Sequence, residues 1–435
     1  MYLPDYVMKT LKTLNDAGYE AYVVGGCVRD YVMGKKPNDY DICTSALPDE
    51  MEALFERTIP TGKKHGTITV LTEEPLEVTT FRKESDYEDH RHPDRVEFVS
   101  DIEIDLSRRD FTINAMAYHP DTGIIDPFDG QKDIKRKVVR CVGDARTRFE
   151  EDALRMLRAH RFCAKLAFTM DVETRDALNM NADLLKYVSV ERIRDEVNQI
   201  LKYNPWQIKE MTKLLEPWIP ELELADKCEQ VSPWHNMNVL DHILKAVMSS
   251  PVKDETVLWT LFLHDLGKPA CKTTSTEGRD HFYAHPLVGK MIGKRIMRQW
   301  KFPARMQHDI PILIEYHDDS IHPSLKTIYK YRIKRGWSEE LMEKWLIVRR
   351  CDLLAHSPTG QQTILKLNEF EALYRKCLKE HPMTYKDLKI NGKDILENTE
   401  YRGSEIKEQL DACLTLCFYQ PEMNDRDRLI QFVKR

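Results

Sequence analysis

The sequence lacks long apolar runs. No stretch approaches the roughly 18 uninterrupted apolar residues of a membrane-spanning helix, and the first residues, MYLPDYVMKTLK, contain no apolar segment of the kind found in signal peptides. We therefore expect a soluble, cytoplasmic protein that is neither secreted nor embedded in a membrane. Its hydrophobic content of 42% and charged content of 31% are ordinary for such proteins.

Paired cysteines are also missing. Ten cysteines are scattered along the chain without any CxxC motif, and the closest two, Cys413 and Cys417, are one helical turn apart. This spacing favours buried, reduced thiols over a disulfide or zinc framework.

The sequence has no excess of positive charge that would mark a nucleic-acid-binding protein. Its net charge is −6 and its pI about 6.2. Basic residues do cluster locally, and such clusters either contact RNA or form solvated helix faces. Composition leaves this choice open for the three clusters at 132–140, 290–301 and 326–335.

Two kinds of pattern divide the 435 residues, a length sufficient for two to four domains. Short strand-like runs separated by turns predominate before about residue 130, and apolar residues with helical periodicity predominate after about residue 145. Prolines at 205, 217 and 220 indicate a joint between helical regions. Strands are predicted at 22–24, 67–71, 77–81 and 96–99, and helices at 28–33, 149–167, 191–202, 239–249 and 339–355.

A glycine pair separates the first predicted strand from the first predicted helix. Gly25 and Gly26 lack side chains, so phosphate oxygens could approach the backbone there. Arg29 lies one turn further on and could reach the same phosphates.

Two aspartates follow this segment. Asp39 and Asp41 flank Tyr40, so in an extended strand both carboxylates point to one face. Such a pair suits Mg²⁺, and Glu77 on another predicted strand is a candidate third carboxylate. Two Mg²⁺ ions there could activate a 3′-hydroxyl and stabilise a leaving pyrophosphate. Taken singly, however, a DxD motif is usually a solvated turn.

The combination of motifs resembles the class II CCA-adding enzymes and bacterial poly(A) polymerases, within the polymerase-β nucleotidyltransferase superfamily. The resemblance begins with GGCVRD and NDYDI and spans about residues 20 to 200. Further motifs are RRDFTINAM at 108–116, DPFDG at 126–130, EDALRMLRAHRF at 151–162 and ERIRDE at 191–196.

This resemblance implies an α+β protein with a polymerase-β-type head, a small mixed sheet with helices, followed by an all-α neck and body. We expect a catalytic head at 1–135, a nucleotide-selecting neck at 136–215, and a helical body with a tRNA-binding tail at 216–435. The implied substrates are CTP, ATP and tRNA, with no membrane partner.

The helix predicted at 149–167 could select the nucleotide, because the family uses no nucleic-acid template. Asp152 can accept a hydrogen bond from the amino group that cytosine and adenine share, and Arg155 can donate to the adjacent ring acceptor. Three residues apart on a helix, the two would be neighbours, although such pairs are usually surface salt bridges. By resemblance, the remaining nucleotide-binding or scaffold residues are Arg109, Asp110, Arg158 and Arg161.

A charged segment, KESDYEDHRHPDRV at 83–96, resembles the flexible loop that family members need for adding A. It favours A addition, either after CC or alone. Family poly(A) polymerases commonly carry strongly basic tails, whereas this chain is acidic overall, which favours a tRNA substrate.

A second group of metal-ligand residues lies in the helical body. His242, His264, Asp265 and Asp352 resemble the H…HD…D ligand set of the HD phosphohydrolases, and His285 and His317 are candidate extra ligands. Such a set suits Ni²⁺, Mn²⁺ or Mg²⁺. HD is also a common dipeptide, and an HD fold can persist as an inactive scaffold for the tRNA elbow.

Four functions are therefore open. The favoured one is a CCA-adding tRNA nucleotidyltransferase, and its nearest alternative is an A-adding enzyme or a poly(A) polymerase. An HD phosphohydrolase that acts on phosphoesters or 2′,3′-cyclic phosphates, with a nucleotide-sensing head, is an alternative of another class. A non-enzymatic RNA-binding scaffold is the fourth. The oligomeric state is open.

Overall fold

A computed structural model describes residues 1–85 and 95–434. The chain forms two compact units, Met1–Gln207 and Ile208–Arg435. The boundary falls beside Pro205, in the region where the prolines predicted a joint. The division proposed at 135/136 lies inside the first unit.

The first unit contains eleven strands among its described residues. They are β1 Ala21–Val24, β2 Asp41–Thr44, β3 Thr58–Gly62, β4 Thr67–Leu71, β5 Pro75–Thr80, β6 Arg82–Ser85, β7 Arg95–Phe98, β8 Ala117–His119, β9 Gly123–Ile125, β10 Val138–Val139 and β11 Thr169–Met170. The four strands predicted from the sequence are confirmed as β1, β4, β5 and β7.

Seven of these strands form one mixed sheet in the order β3-β4-β5-β2-β1-β8-β9. Only β2 and β5 pair in parallel, and this pairing sets Asp41 directly beside Glu77. One face of the sheet packs on a core that includes Val24, Cys43 and Phe81. The predicted mixed-sheet head is confirmed.

Nine α-helices complete the described part of this unit. They are α1 Asp5–Asp16, α2 Gly26–Val32, α3 Pro48–Leu54, α4 Ile102–Ser107, α5 Gly130–Arg136, α6 Ala145–Glu151, α7 Leu154–Leu166, α8 Val172–Asn181 and α9 Val190–Tyr203.

The single helix predicted at 149–167 is wrong, because the chain breaks between α6 and α7. Asp152 ends α6 with extended backbone angles (φ −139°, ψ 102°). Its carboxylate accepts a hydrogen bond from the backbone N–H of Leu154 (3.1 Å) as α7 begins. Asp and Asn side chains compete for backbone N–H groups in this way, which favours helix ends over helix interiors.

In the second unit, the regular structure of the described residues is helical apart from one two-stranded hairpin, β12 Thr273–Thr274 and β13 Asp280–His281. The predicted helices at 239–249 and 339–355 are confirmed as α12 and α18. Its helices are α10 Thr212–Leu215, α11 Glu221–Asp226, α12 Val239–Met248, α13 Glu255–Leu263, α14 Lys268–Cys271, α15 His285–Gln299, α16 Ala304–Glu315, α17 Leu325–Tyr329, α18 Glu339–Ala355, α19 Pro358–Gln361, α20 Thr363–Glu380, α21 Gly392–Asn398, α22 Ser404–Tyr419 and α23 Arg426–Val433.

Aromatic side chains hold the middle of this unit together. Tyr331, Trp337, Trp345 and Phe370 are buried in one cluster, and a second cluster around Leu414 and its neighbours joins the last three helices. All ten cysteines are free, and nine are buried. Within the described residues, no helix is long and apolar enough to cross a membrane.

Candidate functional site

The glycine turn brings the backbone against two predicted site residues. Gly25 has a φ of 79° at the junction of β1 and α2. A Cβ atom there would lie 3.1 Å from Nη1 of Arg109 and 3.9 Å from Oδ2 of Asp41. The amide of Gly25 donates to the carbonyl of Met116 (3.2 Å), so this N–H group serves the fold. The turn needs glycine both for its conformation and for this close approach.

Three carboxylates lie near the start of β2, where this strand pairs in parallel with β5. Asp41 begins β2, Glu77 is its partner on β5, and Asp39 lies two residues earlier in an irregular segment. Thus only Asp41 occupies the strand on which we expected both aspartates. Desolvation raises the pKa of Asp41, the charges of Glu77 and Asp39 raise it further, and Arg109 opposes the rise.

Mutual repulsion of this kind is relieved when a cation binds between the carboxylates. The three acidic side chains therefore fit Mg²⁺ by charge and donor type. Among residues 1–85 and 95–434, however, they are not one of the sets whose ligand atoms all lie within 4.8 Å of one another.

A cavity of about 390 Å³ adjoins Asp41. It collects most of the predicted nucleotide-binding residues, whereas Asp39, Glu77 and Arg161 are not part of its lining. Its lining residues are Gly25, Gly26, Arg29, Asp41, Arg108, Arg109, Asp110, Asn114, Asp152, Leu154, Arg155, Arg158, Phe162 and Arg192.

The predicted phosphate-binding arginines are already engaged with protein groups. Arg29 donates to Asn114 Oδ1 (2.7 Å) and to Asp30 Oδ1 (2.7 and 2.9 Å). Arg109 donates to Asp105 Oδ2 (3.2 Å) while its other terminal nitrogen faces Gly25. Their positions are thus fixed before any ligand arrives, which lowers the entropic cost of binding one.

Asp110 and Arg158 form an ion pair in the cavity lining, in which Asp110 is buried and Arg158 is half-buried. Both Nε and Nη2 of Arg158 donate to Asp110 Oδ2 (2.9 and 2.6 Å). Burial acts to raise the pKa of Asp110, but Arg158 outweighs it and holds that pKa below its usual value. Arg161 instead pairs with Glu196 on α9 (2.6 Å), a scaffold contact between helices.

Asp152 and Arg155 both line the cavity but are held by different partners. Asp152 Oδ2 accepts from Arg192 Nη2 (3.2 Å). Arg155 pairs with Glu151 (2.5 Å) and donates to the carbonyl of Arg108 (3.1 Å). The junction of α6 and α7, together with these partners, therefore positions Asp152 and Arg155. They do not share a continuous helix face.

Sequence reasoning missed five residues of the cavity lining, namely Arg108, Asn114, Leu154, Phe162 and Arg192. All five lie inside motifs that carried the family resemblance, so the signal was present without a role attached. Phe162 contributes its ring beneath the guanidinium groups of Arg29, Arg158 and Arg161, at 4.5 to 5.7 Å. The ring therefore lies among three like charges, of which Arg29 and Arg158 line the cavity.

In the second unit, the predicted histidines and aspartates come together in a buried group. His242 Nε2 lies 3.0 Å from Asp352 Oδ1 and 3.3 Å from Asp265 Oδ2. His264 Nε2 lies 3.3 Å from the same Asp265 oxygen. The ligand atoms of His242, His264, Asp265 and Asp352 all lie within 4.8 Å of one another, which fits a single metal ion.

The candidate extra ligands lie on the other side of Asp265. His285 and His317 place their Nε2 atoms 3.3 and 3.4 Å from Asp265 Oδ1. These three residues form a second compact set, and His235, His242 and His356 form a third that shares His242 with the first. Lys268 Nζ lies 2.7 Å from Asp265 Oδ2 and binds Gln230 (2.8 Å).

The carboxylates favour positive charge in this group. Burial acts to lower the pKa of His264, yet Asp265 and Asp352 raise it to about 10. Burial prevails at His242, whose pKa falls to about 4. The pKa values of Asp265 and Asp352 are held well below the usual range, against the effect of burial, by neighbouring cationic groups.

A cavity of about 690 Å³ opens onto this group. Asp265, His285, His317 and Asp352 are on its wall. Further lining residues include the basic Lys268, Arg279, Arg349 and Lys366, the acidic Asp280 and Asp318, and the aromatic Trp234 and Tyr283. The four basic side chains can pair with an anionic ligand.

The flexible loop expected between β6 and β7 falls largely on residues 86–94, which lie outside the described residues. The expectation that it serves A addition stays a prediction.

Known proteins similar to this chain share both its sequence and its fold. Residues 21–140 match the family described as "Poly A polymerase head domain", and residues 167–225 match "Probable RNA and SrmB- binding site of polymerase A". The CCA-adding enzyme of Lactobacillus johnsonii is 55% identical over 190 residues, which are 43% of this chain and 48% of that protein. That of Bacillus cytotoxicus is 40% identical over 299 residues, 67% and 66% of the two chains. The match thus spans about half the length of the first of these curated relatives.

Solved structures agree over the whole chain. The CCA-adding enzyme of Bacillus stearothermophilus, solved in complex with CTP, superposes with a TM-score of 0.71 at 29% identity, covering 100% of this chain and 97% of that one. The Thermotoga maritima CCA-adding enzyme, solved with tRNA, has a TM-score of 0.61 at 20% identity over 99% and 95% of the two chains, which shows a shared fold.

Proposed function

We propose that this chain, which belongs to the nucleotidyltransferase family of the poly A polymerase head domain and CCA-adding enzymes, is itself a CCA-adding tRNA nucleotidyltransferase. It adds CMP, CMP and AMP from CTP and ATP to a tRNA 3′ end. The observation that carries the proposal is the first cavity, which joins Asp41 to Asp152 and Arg155 in one wall. We also propose a cytoplasmic location, which a tRNA-processing role implies.

The reaction is a phosphoryl transfer. The tRNA 3′-oxygen forms a bond to the α-phosphorus of the nucleotide while the bond from that phosphorus to the β-phosphate oxygen breaks, releasing pyrophosphate. Mg²⁺ held by Asp39, Asp41 and Glu77 would supply charge neutralisation and activation of the 3′-hydroxyl. Arg109 lies beside Asp41 and is placed to neutralise phosphate oxygens.

Nucleotide choice rests on Asp152 and Arg155. Asp152 accepts from the amino group of cytosine or adenine, and Arg155 donates to the neighbouring ring acceptor. Uracil and guanine place a carbonyl where Asp152 needs a donor, so they leave its carboxylate facing an acceptor. Arg192 and Glu151 hold the two reading groups in position.

One assay separates this function from its alternatives. A tRNA transcript without its 3′ CCA, and an oligo(A) primer, are incubated with CTP, ATP or both. We expect two added C residues with CTP alone and a full CCA end with both nucleotides. Addition of A only to a supplied CC end would identify an A-adding enzyme, and unlimited A on either primer would identify a poly(A) polymerase.

The catalytic assignment is tested in the same assay. Asp39→Ala should lower the rate of addition at least about a hundredfold, because it removes a proposed metal ligand. The matched control is Asp121→Ala, whose side chain is 88% exposed in the same unit and should retain full activity. Full activity of Asp39→Ala would show that the assignment is wrong.

The second unit supports a second candidate function, a metal-dependent phosphohydrolase. The supporting observation is the buried set of His242, His264, Asp265 and Asp352, whose two aspartates line a cavity that also carries Lys268 and Arg349. Hydrolysis of 2′,3′-cyclic AMP with added Ni²⁺ tests it, and Asp265→Ala should abolish the activity. An inactive wild type would reduce this unit to a scaffold role.

A further inference from the structure

A group of tyrosines lies beside the carboxylates of the head, outside the nucleotide cavity. We propose that Tyr2 and Tyr6 form a stacking platform for the bases at the 3′ end of the RNA that is extended. The ammonium groups of Lys35 and Lys36 would bind the phosphates of the same strand. This inference deepens the proposed function and rests on it, because it requires nucleotidyl transfer at Asp39. It adds the place of the second substrate, the RNA.

The tyrosines are neighbours of one another and of the carboxylates. The rings of Tyr6 and Tyr40 meet edge to face, with their centroids 6.5 Å apart, and Tyr6 Oη donates to Glu74 Oε2 (3.2 Å). Burial and Glu74 raise the pKa of Tyr6 to about 12, and the nearby Tyr40 and Asp39 add to the rise. Burial also raises the pKa of Tyr40, with contributions from neighbouring groups that include Tyr2. Tyr2, Tyr40 and Tyr6 therefore lie close together, and Tyr6 lies near Asp39.

Tyr2 contributes little to the packing of the head. It is 87% exposed, whereas the residues on both sides of it are anchored. The amino nitrogen of Met1 donates to Tyr118 Oη (3.1 Å), and Leu3 is buried. The backbone thus confines a large, solvent-exposed ring to a place near the carboxylates. A ring whose backbone is already anchored loses less conformational freedom when a base stacks on it.

The two substrates of the proposed reaction need different places. The incoming nucleotide would occupy the cavity that Asp41 lines. Within the described part of the chain, the lining of this cavity includes neither Asp39 nor the three tyrosines. The attacking 3′-oxygen must reach the same carboxylates from outside the cavity, because the nucleotide fills it. The strand that carries this oxygen therefore approaches from the side of Asp39, where the tyrosines lie.

Stacking suits an RNA whose last base changes after every addition. The base at the 3′ end is first the one that precedes CCA, then C, and then C again. Hydrogen-bonding groups that read one of these bases would reject another, whereas every base presents a π-face to an aromatic ring. One aromatic surface can therefore hold the 3′ end through all three additions.

Two lysines supply positive charge beside the tyrosines. Lys35 and Lys36 precede Asp39 by four and three residues, in the segment between α2 and β2, and both are exposed. Proteins that bind single-stranded nucleic acids combine basic groups for the backbone with aromatic rings for the bases. The tyrosines and the lysine pair together match the chemistry of single-stranded RNA.

Steady-state kinetics test the platform. The full-length protein adds C to a tRNA transcript without CCA, and the concentrations of RNA and CTP are varied separately. Tyr2→Ala should raise the KM for the RNA about tenfold, because stacking on a base is lost, whereas kcat and the KM for CTP should stay within about twofold. Tyr2→Phe keeps the ring and should behave as the wild type.

The matched control is Ile59→Ala. Ile59 is also apolar and exposed, but it lies on β3, which β4 and β5 separate from β2 in the sheet. It should leave all three constants unchanged. An unchanged KM for the RNA in Tyr2→Ala, or the same loss in Tyr2→Phe or Ile59→Ala, would overturn the platform.

Salt dependence separates the lysines from the tyrosines. Replacing both Lys35 and Lys36 by alanine should reduce the slope of log Kd for the RNA against log salt by about 1.4, which is about 0.7 for each phosphate contact. Tyr2→Ala should weaken binding without changing this slope, because stacking releases no counterions. An unchanged slope in the lysine variant would contradict the phosphate contacts.

Direct binding distinguishes failure of this inference from failure of the proposed function. A tRNA with 2-aminopurine at its 3′ end is titrated with protein in Mg²⁺ without nucleotide, so that no transfer occurs. Its fluorescence should change on binding the wild type and Tyr2→Phe, and this change should be lost with Tyr2→Ala. A change that depends on Tyr2, in a protein that adds no nucleotide, would keep the platform and refute the CCA-adding function. Normal CCA addition with a fluorescence change that does not depend on Tyr2 would do the reverse.

Discussion

Arg192 holds Asp152, the carboxylate that we propose reads the base. Its Nη2 donates to Asp152 Oδ2 at 3.2 Å, across from α9 to the junction of α6 and α7. We expect Arg192→Ala to reduce the preference for CTP over UTP about tenfold, because a hydrogen bond between charged groups contributes roughly 1.5–3 kcal/mol. The ratio of kcat/KM for the two nucleotides measures this.

The neighbouring Arg194→Ala is the control for that measurement. Arg194 pairs with Asp195 on the same helix and is not part of the cavity lining. Equal loss of preference in both variants would mean that α9 acts only as support and that Arg192 has no separate role.

His160 on α7 makes the stability of the first unit depend on pH. Burial, reinforced by Arg175, lowers its pKa from 6.5 to about 3. Above about pH 6.5 the imidazole is neutral in both states. Between about pH 6.5 and 3, the unfolded chain binds a proton that the folded chain does not. The free energy of unfolding therefore falls by about 1.4 kcal/mol for each unit by which the pH is lowered.

Replacing this histidine should remove that contribution. The free energy of unfolding is measured by urea unfolding at pH 7 and pH 5, for the wild type and for His160→Gln. The decrease from pH 7 to pH 5 should be about 2 kcal/mol smaller in the variant than in the wild type. The glutamine retains a polar group for Gln207, which contacts Nδ1 of His160 at 2.9 Å. Identical losses in the two proteins would contradict the buried neutral imidazole.

Single residues show why motifs predicted the site only in part. Asp39, Asp41 and the glycine pair lie within about 15 residues of one another, so their order alone suggested their chemistry. Arg192 lies 40 positions from Asp152, and nothing local in the sequence specifies that α7 and α9 pack together. Its role depends on tertiary contacts, which periodicity does not encode.

Among the elements, α15 approaches the turn at 264–267 closely because Gly267 and Gly289 face each other there. A Cβ atom on Gly267 would lie 2.4 Å from the carbonyl oxygen of His285 and 2.6 Å from the amide of Gly289. Both are backbone atoms that cannot move aside cheaply. Gly267→Ala should therefore destabilise the second unit by about 1–3 kcal/mol and weaken metal binding through displacement of His285.

Gly293→Ala on α15 is the matched control for thermal unfolding and metal titration. Its added Cβ would meet Cδ1 of Ile314 at 2.8 Å, the end of a side chain that can rotate. It should retain metal affinity and gain helix propensity. Equal behaviour of the two variants would show that the backbone approach is not needed for the metal ligands.

The elements also explain the failed helix prediction. Apolar periodicity continues from α6 into α7, because Phe149, Leu154 and Leu157 are all buried. A break of two residues preserves this pattern, since both helices pack against the same core. The carboxylate of Asp152 ends α6 through a local hydrogen bond that periodicity does not register.

For the whole molecule, the division at Gln207 and Ile208 predicts separate responses to metal. A ligand that binds only the folded form of one unit stabilises that unit by mass action. Chelator-stripped protein carrying Asp39→Asn and Asp41→Asn should show one thermal transition that moves upward with Ni²⁺. The second transition should stay in place.

Limited proteolysis identifies the transition that moves. Fragments of 208–435 should gain protection with Ni²⁺, whereas fragments of 1–207 should not. Stabilisation of the first unit, or of both equally, would contradict metal binding at the histidine group. In the sequence, Pro205 and the nearby prolines indicated the joint. The sequence did not predict that 1–207 forms one unit, because this depends on tertiary contacts between its elements.

Lys268 bears on how the proposed metal site would respond to the concentration of free metal. Its ammonium is buried and pairs with Asp265 Oδ2, an oxygen in the candidate ligand set. A cation bound through this oxygen must displace a resident positive charge, which lowers the affinity of the site. The ammonium is thus a built-in competitor: it satisfies the carboxylate when metal is scarce and yields its position only when metal is abundant.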